Sequence, residues 1–256
     1  MLWNASAMCG YDIEASDGRL GTVSDLLFDD ASWIIRWLVV DTGDWLPGRK
    51  VLLPISALGL PDCALRSFPI KLTMQQVKES PETGADQPVS RQTEISVYSH
   101  FELEPYWASS PLPLSNSIAT PLVAPLYLFG SNPQDVQYLD AQPNNGDPHL
   151  RSIAAVTGLH VEAVDGEIGH VEDLLIDDVS WTIRFIKVDT KNWWPGEQVL
   201  ISPRSVKTID WPQKRVRLDV TGQKVKESPS YNPLSTVDGA YEEKFLTYYG
   251  IRWVAA

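Results

Sequence analysis

The chain repeats itself at a displacement of 148 residues, and no other feature constrains its fold as tightly. Gly10 to Pro81 aligns on Gly158 to Pro229 without a gap, and about 30 of roughly 70 positions are identical. The matching segments include EASDGRLG with EAVDGEIG, VSDLLFDDASW with VEDLLIDDVSW, and VKESP with VKESP. Segments this alike adopt the same local structure, so the chain is expected to hold two copies of one unit. Beyond Pro81 the register is expected to drift by a few residues, while each copy continues through a polar helical stretch to an aromatic end, SVYSHFELEPYW and KFLTYYGIRWV. The division that follows is a first unit over 1–107, a linker over 108–150 rich in Pro, Ser and Asn, and a second unit over 151–256. Within the linker, ATPLVAPLYLF is too apolar for a purely solvated tether and is expected to pack on its own chain.

Each unit reads mainly as strands. Asp17-Gly18 and Asp165-Gly166 are tight-turn dipeptides between short alternating runs and predict a hairpin. TVSDLLFDD, IIRWLVVD and KVLLPISAL follow as β-branched and aromatic runs separated by polar or Pro-Gly turns, and MQQVKESP predicts a short helix stopped by Pro. Short, evenly spaced antiparallel strands remove their unpaired edges most economically by closing into a barrel.

The ordered set G-x-x-x-x-A-x-D-G-x-x-G, D-D-x-S-W-x-I-R and V-D-T-x-x-W-x-P-G-x-x-V-L resembles the PRC-barrel family, named for the photosynthetic reaction centre. The resemblance runs over Trp3 to Trp107 and again over Ile153 to Trp253. It implies a mainly β protein of two tandem PRC-barrel-like units, small antiparallel β-barrels each followed by short helical segments. The family's barrel is six-stranded and serves as a binding module, in the reaction-centre H subunit and in a ribosome-maturation protein, with no catalytic residue defining it. No stretch of this sequence is expected to form a transmembrane helix like the H subunit's or an extra N-terminal domain like the maturation protein's, so neither specific role is carried over. It looks more like bacterial proteins that carry two such barrels in tandem.

Composition narrows the function classes. A formal net charge of -12 argues against a protein that grips nucleic acid by its phosphates, because that requires a basic face. The first residues, MLWNASAMCG, lack the basic start and apolar core of a secretory signal, and no apolar run is long enough to span a bilayer, so a cytoplasmic location is expected. Cys9 and Cys63 have no metal-ligand spacing and read as structural thiols.

The candidate sites lie in the repeated loop, DTGDWLPG at Asp41 to Gly48 and DTKNWWPG at Asp189 to Gly196. Asp41, Trp45, Pro47 and Gly48, with Asp189, Trp193, Pro195 and Gly196, recur in both copies and are assigned to the fold. Their types suit loop amides, a fixed φ, an unusual backbone angle and a cover for the barrel end. Lys191, Asn192 and Trp194 replace Gly43, Asp44 and Leu46, so they form the candidate interaction surface, Trp194 being the anchor. The paired aspartates Asp29-Asp30 and Asp177-Asp178 precede Ser-Trp and suit turn capping, while Asp44 becomes Asn192 and no histidine recurs. Catalytic chemistry therefore has no repeated constellation to rest on, and no catalytic residue, cofactor or metal ligand is assigned. A hard-cation site beside the Asp pairs is the alternative.

The resulting expectation is a non-enzymatic protein-interaction or scaffold module acting on a protein partner or on a second copy of itself, without nucleic acid. The alternative is a module responsive to a small ligand or metal. Two structural expectations accompany it. Arg36 and Arg184 should pair across strands with Asp25 and Asp173, and the two units should pack on one another as a pseudo-symmetric pair.

Overall fold

The computed structural model describes residues 1–81, 89, 91–105, 147, 149–190, 198–232 and 237–251, with backbone alone at 91 and 92. The expected linker falls outside the described residues except at 147, 149 and 150. The first part of the chain forms β1 (Leu2–Asn4), α1 (Ala5–Met8), β2 (Asp12–Ala15), β3 (Gly18–Asp29), β4 (Ile35–Asp41), β5 (Lys50–Pro54), β6 (Ser67–Pro69), α2 (Met74–Lys78) and α3 (Arg91–His100). The second forms β7 (Leu150–Ser152), α4 (Ile153–Val156), β8 (His160–Ala163), β9 (Gly166–Asp177), β10 (Ile183–Asp189), β11 (Gln198–Ile201), β12 (Val206–Asp210), β13 (Arg215–Leu218), α5 (Gly222–Lys226) and α6 (Gly239–Tyr249).

The protein is mainly β, with two sheets ordered β5-β4-β3-β2-β6 and β11-β10-β9-β8-β13-β12. Both are open paths rather than the closed barrels expected. In the first, β5 runs into a 3-10 turn at Ile55–Ala57, and between that turn and β6 the chain adds no further strand, making single bridges from Leu58 to Ile70 and from Asp62 to Ser67. The antiparallel expectation is also corrected at one place in each sheet, since β2–β6 and β8–β13 are parallel. Direction alternates from β2 to β5, which leaves β6 running the same way as β2 when it returns to that edge.

β3 and β9 span 12 residues each, and one edge of each serves two successive partners. Along β3, β2 pairs residues 18–22 and β7 pairs residues 27–29. Along β9, β8 pairs residues 166–170 and β1 pairs residues 175–177. Each half thus lends its first strand to the other half's sheet. The helices behind those strands are capped across the same boundary. Ser6 N–H donates to the Asp173 carboxylate at 3.1 Å, and Ala154 N–H donates to Asp25 at 3.3 Å. The two hairpin turns also meet: Ile35 N–H donates to Trp181 C=O and Ile183 N–H to Trp33 C=O, both at 2.8 Å. The two parts of the chain thus meet through exchanged strands and paired turns. One apolar cluster runs through both sheets, including Met8, Phe28, Trp37 and Phe68 with Ile176, Val188, Ile201 and Val216.

A helix covers one apolar side chain of each central hairpin. Trp37 is fully buried beneath α3, where its indole N–H donates to Glu94 at 2.9 Å and its ring lies 5.1 Å from Tyr98. Phe185 lies beneath α6, edge-on to Phe245 at 5.0 Å. The two helices begin 148 residues apart, at Arg91 and Gly239, so the expected drift of register beyond Pro81 is not seen here. The far ends agree as well: His100 Nε2 lies 2.7 Å from the Gln76 carbonyl, and the Tyr248 hydroxyl donates to the Lys224 carbonyl at 2.8 Å. Geometry holds the offset even where side-chain identity fades.

Gly21 and Gly169 explain the second glycine of D-G-x-x-G. Both adopt positive φ, 156° and 148°, and a Cβ at either would stand 2.1 Å from a carbonyl oxygen, that of Asp41 or Asp189. Gly21→Ala is therefore expected to cost on the order of 3 kcal/mol in chemical denaturation, because backbone and not a flexible side chain must yield. A change under about 0.5 kcal/mol, the range of ordinary surface substitutions, would contradict that reading.

Candidate functional site

The repeated loop is built from backbone satisfaction upward. Asp41 ends β4 with its side chain exposed, and its carboxylate accepts the Gly43 N–H at 2.9 Å. Thr42 is buried, and its hydroxyl lies 2.9 Å from the Leu46 carbonyl oxygen and 2.6 Å from that of Arg49. Trp45 packs on the core, and its indole N–H donates to the Leu20 carbonyl. Pro47 and Gly48 close the loop, Gly48 with φ of 75° and Gly43 with φ of 58°. In the second copy Asp189 and Thr190 are buried. Lys191, Asn192, Trp193, Trp194, Pro195 and Gly196 lie outside the described residues, so the candidate surface around Trp194 is not placed.

The other carboxylates of the motif are engaged by backbone amides. Asp29 accepts from the N–H groups of Ala31 and Ser32 at 2.9 and 2.7 Å, and Asp177 from those of Val179 and Ser180 at 3.1 and 2.8 Å. Burial alone would push the Asp177 carboxyl up, but these donors bring it below its usual value. Asp17 and Asp165 do more than shape turns, since they accept the Met74 N–H at 2.7 Å and the Gly222 N–H at 2.6 Å and so tie the first hairpin of each half to α2 and α5. Among the described residues no group of three or more His, Cys, Asp or Glu is arranged to hold a metal ion. Cys9 and Cys63 are free thiols, and burial pushes the Cys9 thiol up.

The expected pairs Arg36–Asp25 and Arg184–Asp173 do not form. A register irregularity falls between Ile35 and Trp37, and another between Ile183 and Phe185, so each Arg is the extra residue of a bulge with no cross-strand neighbour. Asp25 lies opposite Val39 instead, and Asp173 opposite Lys187. The bulges turn both guanidinium groups towards a helix. Arg36 lies 3.7 Å from Glu94 and Arg184 3.5 Å from Glu242, again 148 residues on. Arg36 also pairs with Asp29 and, at 2.5 Å, with Asp147. Burial would raise the Asp147 carboxyl, but the His149 N–H and the Arg36 guanidinium bring it below its usual value.

A cleft of about 590 Å³ lies where the halves meet, between the turn at 30–33 and the segment 203–209. His149, Arg151, Arg204 and Lys207 line it, with Asp30 as the single carboxylate among its lining residues. Asp30 accepts from Arg151 Nε at 3.1 Å, and its other oxygen is 2.8 Å from His149 Nδ1. That hydrogen bond holds the His149 imidazole above its ordinary value. The Arg151 guanidinium lies over the Trp211 ring, 4.6 Å from its centroid. Sequence reasoning missed this cleft because three separate segments, 30–33, 149–151 and 203–209, contribute to it, although Arg204 and Lys207 stand where the first copy has Ser56 and Gly59.

Residues 4–66 match the profile of the PRC-barrel domain. Residues 4–66 carry the signature of a PRC-barrel domain. The matched span covers β2 to β5 and ends just before β6, so it takes in the hairpins and the DTGDWLPG loop. An uncharacterized protein of Deinococcus radiodurans is 30% identical over 89 residues, which are 35% of this chain and 31% of the relative. The match thus spans about a third of that relative's length. No helix among the described residues is long and apolar enough to cross a membrane.

Proposed function

We propose that this is a non-enzymatic protein-association module, built of two PRC-barrel-related units in tandem over 1–107 and 151–256 with 108–150 between them, and working in the cytoplasm. The observation that carries this reading is the use made of the motif's polar groups. Asp25, Asp29, Asp41, Asp173 and Asp177 all accept backbone N–H groups, and so do Asp17 and Asp165. Carboxylates committed to turns and helix caps have few lone pairs left for acid, base or nucleophile work. Helices and strands that recur at one displacement support the tandem reading.

The test is recovery of a partner. Tagged full chain purified from its own cells should retain one protein at constant ratio through size exclusion, and the two purified components should reassemble. A melting temperature that rises with a divalent cation or small anion, and no reassembly, would favour the ligand-responsive alternative instead. The basic cleft is the observation that keeps that alternative in view.

A further inference from the structure

We infer that His160 and His170, on the solvent side of the second sheet, form a site for one divalent transition-metal ion of the zinc and copper class. The site goes beyond the association reading, since it needs no partner. The two residues are direct cross-strand neighbours on β8 and β9. The Val171 N–H donates to the Leu159 carbonyl at 2.8 Å, while the His160 N–H turns the other way, to the Lys214 carbonyl at 3.0 Å, so the histidines are a non-hydrogen-bonded pair. Such pairs hold their Cα atoms only about 4.5 Å apart, with both side chains on one face. Two imidazoles so placed can share one ion at about 2.0 to 2.1 Å from each ring nitrogen.

Each ring has a nitrogen to give. His160 Nδ1 lies 2.9 Å from Glu167 Oε1. An ionised carboxylate only accepts, so in the neutral imidazole the proton sits on Nδ1 and Nε2 keeps its lone pair. A carboxylate behind an imidazole is also the arrangement that fixes the tautomer and aim of a metal-ligating histidine. His170 Nε2 stands 3.9 Å from the Asp189 carboxylate, beyond hydrogen-bond reach. The two side chains are 56% and 41% exposed, so both rings can turn to a common ion that arrives from solvent. Among the described residues no third ligand completes a cage, which leaves the remaining positions to water.

The first half does not repeat the pair. Asp12 and Thr22 face each other at the matching positions, and Asp12 forms an ion pair with Arg19 at 2.6 Å. The second half reverses the polarity of that pair, with His160 in place of Asp12 and Glu167 in place of Arg19. Lys or Arg would hold Glu167 at any ordinary pH, whereas imidazole supplies a charge only when protonated. Nearby charge suits a dication. Arg215, Arg217 and Lys187 are met by Glu162, Asp210 and Glu172, and two further carboxylates, Glu167 and Asp189, flank the histidines. Nitrogen donors select zinc, copper or nickel, while calcium and magnesium require oxygen ligands.

The experiment titrates the purified full chain, stripped of metal with a chelator and dialysed, with Zn²⁺ alone and with Cu²⁺ alone in a calorimeter. One ion should bind per chain, Cu²⁺ more tightly than Zn²⁺, and excess Mg²⁺ should displace neither. His160→Ala and His170→Ala should each weaken Zn²⁺ binding by at least about a hundredfold, because a single ligand forfeits the gain of a linked pair. The double variant should lose little more than either single one, and His100→Ala should bind as the parent does. With Cu²⁺ below one equivalent, electron paramagnetic resonance should show two imidazole nitrogens in the parent and one in either variant. Melting temperatures without metal should be unchanged, since both side chains are exposed. No saturable Zn²⁺ binding, an affinity unmoved by either histidine variant, or a parent Cu²⁺ spectrum with a single imidazole nitrogen would each overturn the inference.

Discussion

Expressed separately as 1–105 and 147–256, the two halves are expected to fail to reach the stability of the full chain and to recover it when mixed. Alone, the first half would leave one edge of β3 open at Leu27 to Asp29 and lose Ile153 and Val156, both buried in the shared core. The second would lose the pairing of β1 with β9, together with Ala5 and Met8, which are at most 1% exposed. Large-to-small changes at single core positions cost about 2 to 5 kcal/mol, and several such positions are vacated at once. That approaches the whole stability of an ordinary domain, about 5 to 15 kcal/mol. Circular dichroism melts and sedimentation check it: separate halves should melt early or broadly, and the mixture should sediment as a one-to-one complex. A first half that melts cooperatively at the temperature of the full chain would refute the shared core.

Arg36→Ala carries the second large effect. The guanidinium sits among Asp29, Asp147 and Glu94, with side chains between 0 and 15% exposed. Its removal strands buried negative charge, Glu94 above all, since that residue is fully buried. Breaking a buried ion pair from one side costs about 3 to 5 kcal/mol, so a loss of that size is expected in urea denaturation at neutral pH. Part of the loss should be recovered in the double variant Arg36→Met with Glu94→Gln, which removes the most deeply buried of the three charges and keeps an acceptor for the Trp37 indole. If the double variant is as unstable as Arg36→Ala, the cost lies in packing rather than in charge.

Much of the architecture was legible because its signals are local. The D-G turns, the alternating runs of β3 and β4, and the short helix at Met74–Lys78 each depend on neighbours a few residues away. What was not legible is set by tertiary context. β1 and β7 are three residues long and carry no alternation, so nothing local marks LWN or LRS as strands, still less as strands of the opposite half. The cross-strand pairing of Arg36 with Asp25 presumed a regular ladder, and a single extra residue redirected the guanidinium to a helix. The repeated loop around Asp41 could be read in chemical terms, residue by residue. The cleft at β12 could not, because Asp30, Arg151 and Lys207 become neighbours only after the halves exchange strands.

The exchange also sets an order of events during synthesis. β3 is translated early, but its partner β7 lies 125 residues downstream, as Leu27 and Ser152 show. At about 5 to 20 residues per second the ribosome takes roughly 6 to 25 s to cover that distance. For that interval every nascent chain displays an unfilled seat for a strand, and neighbouring chains on one message carry strands of matching shape. Reciprocal exchange between two molecules would satisfy the same pairings as exchange within one. The ratio of monomer to interlocked dimer would then depend on how closely ribosomes follow one another, a kinetic quantity fixed before the protein is complete.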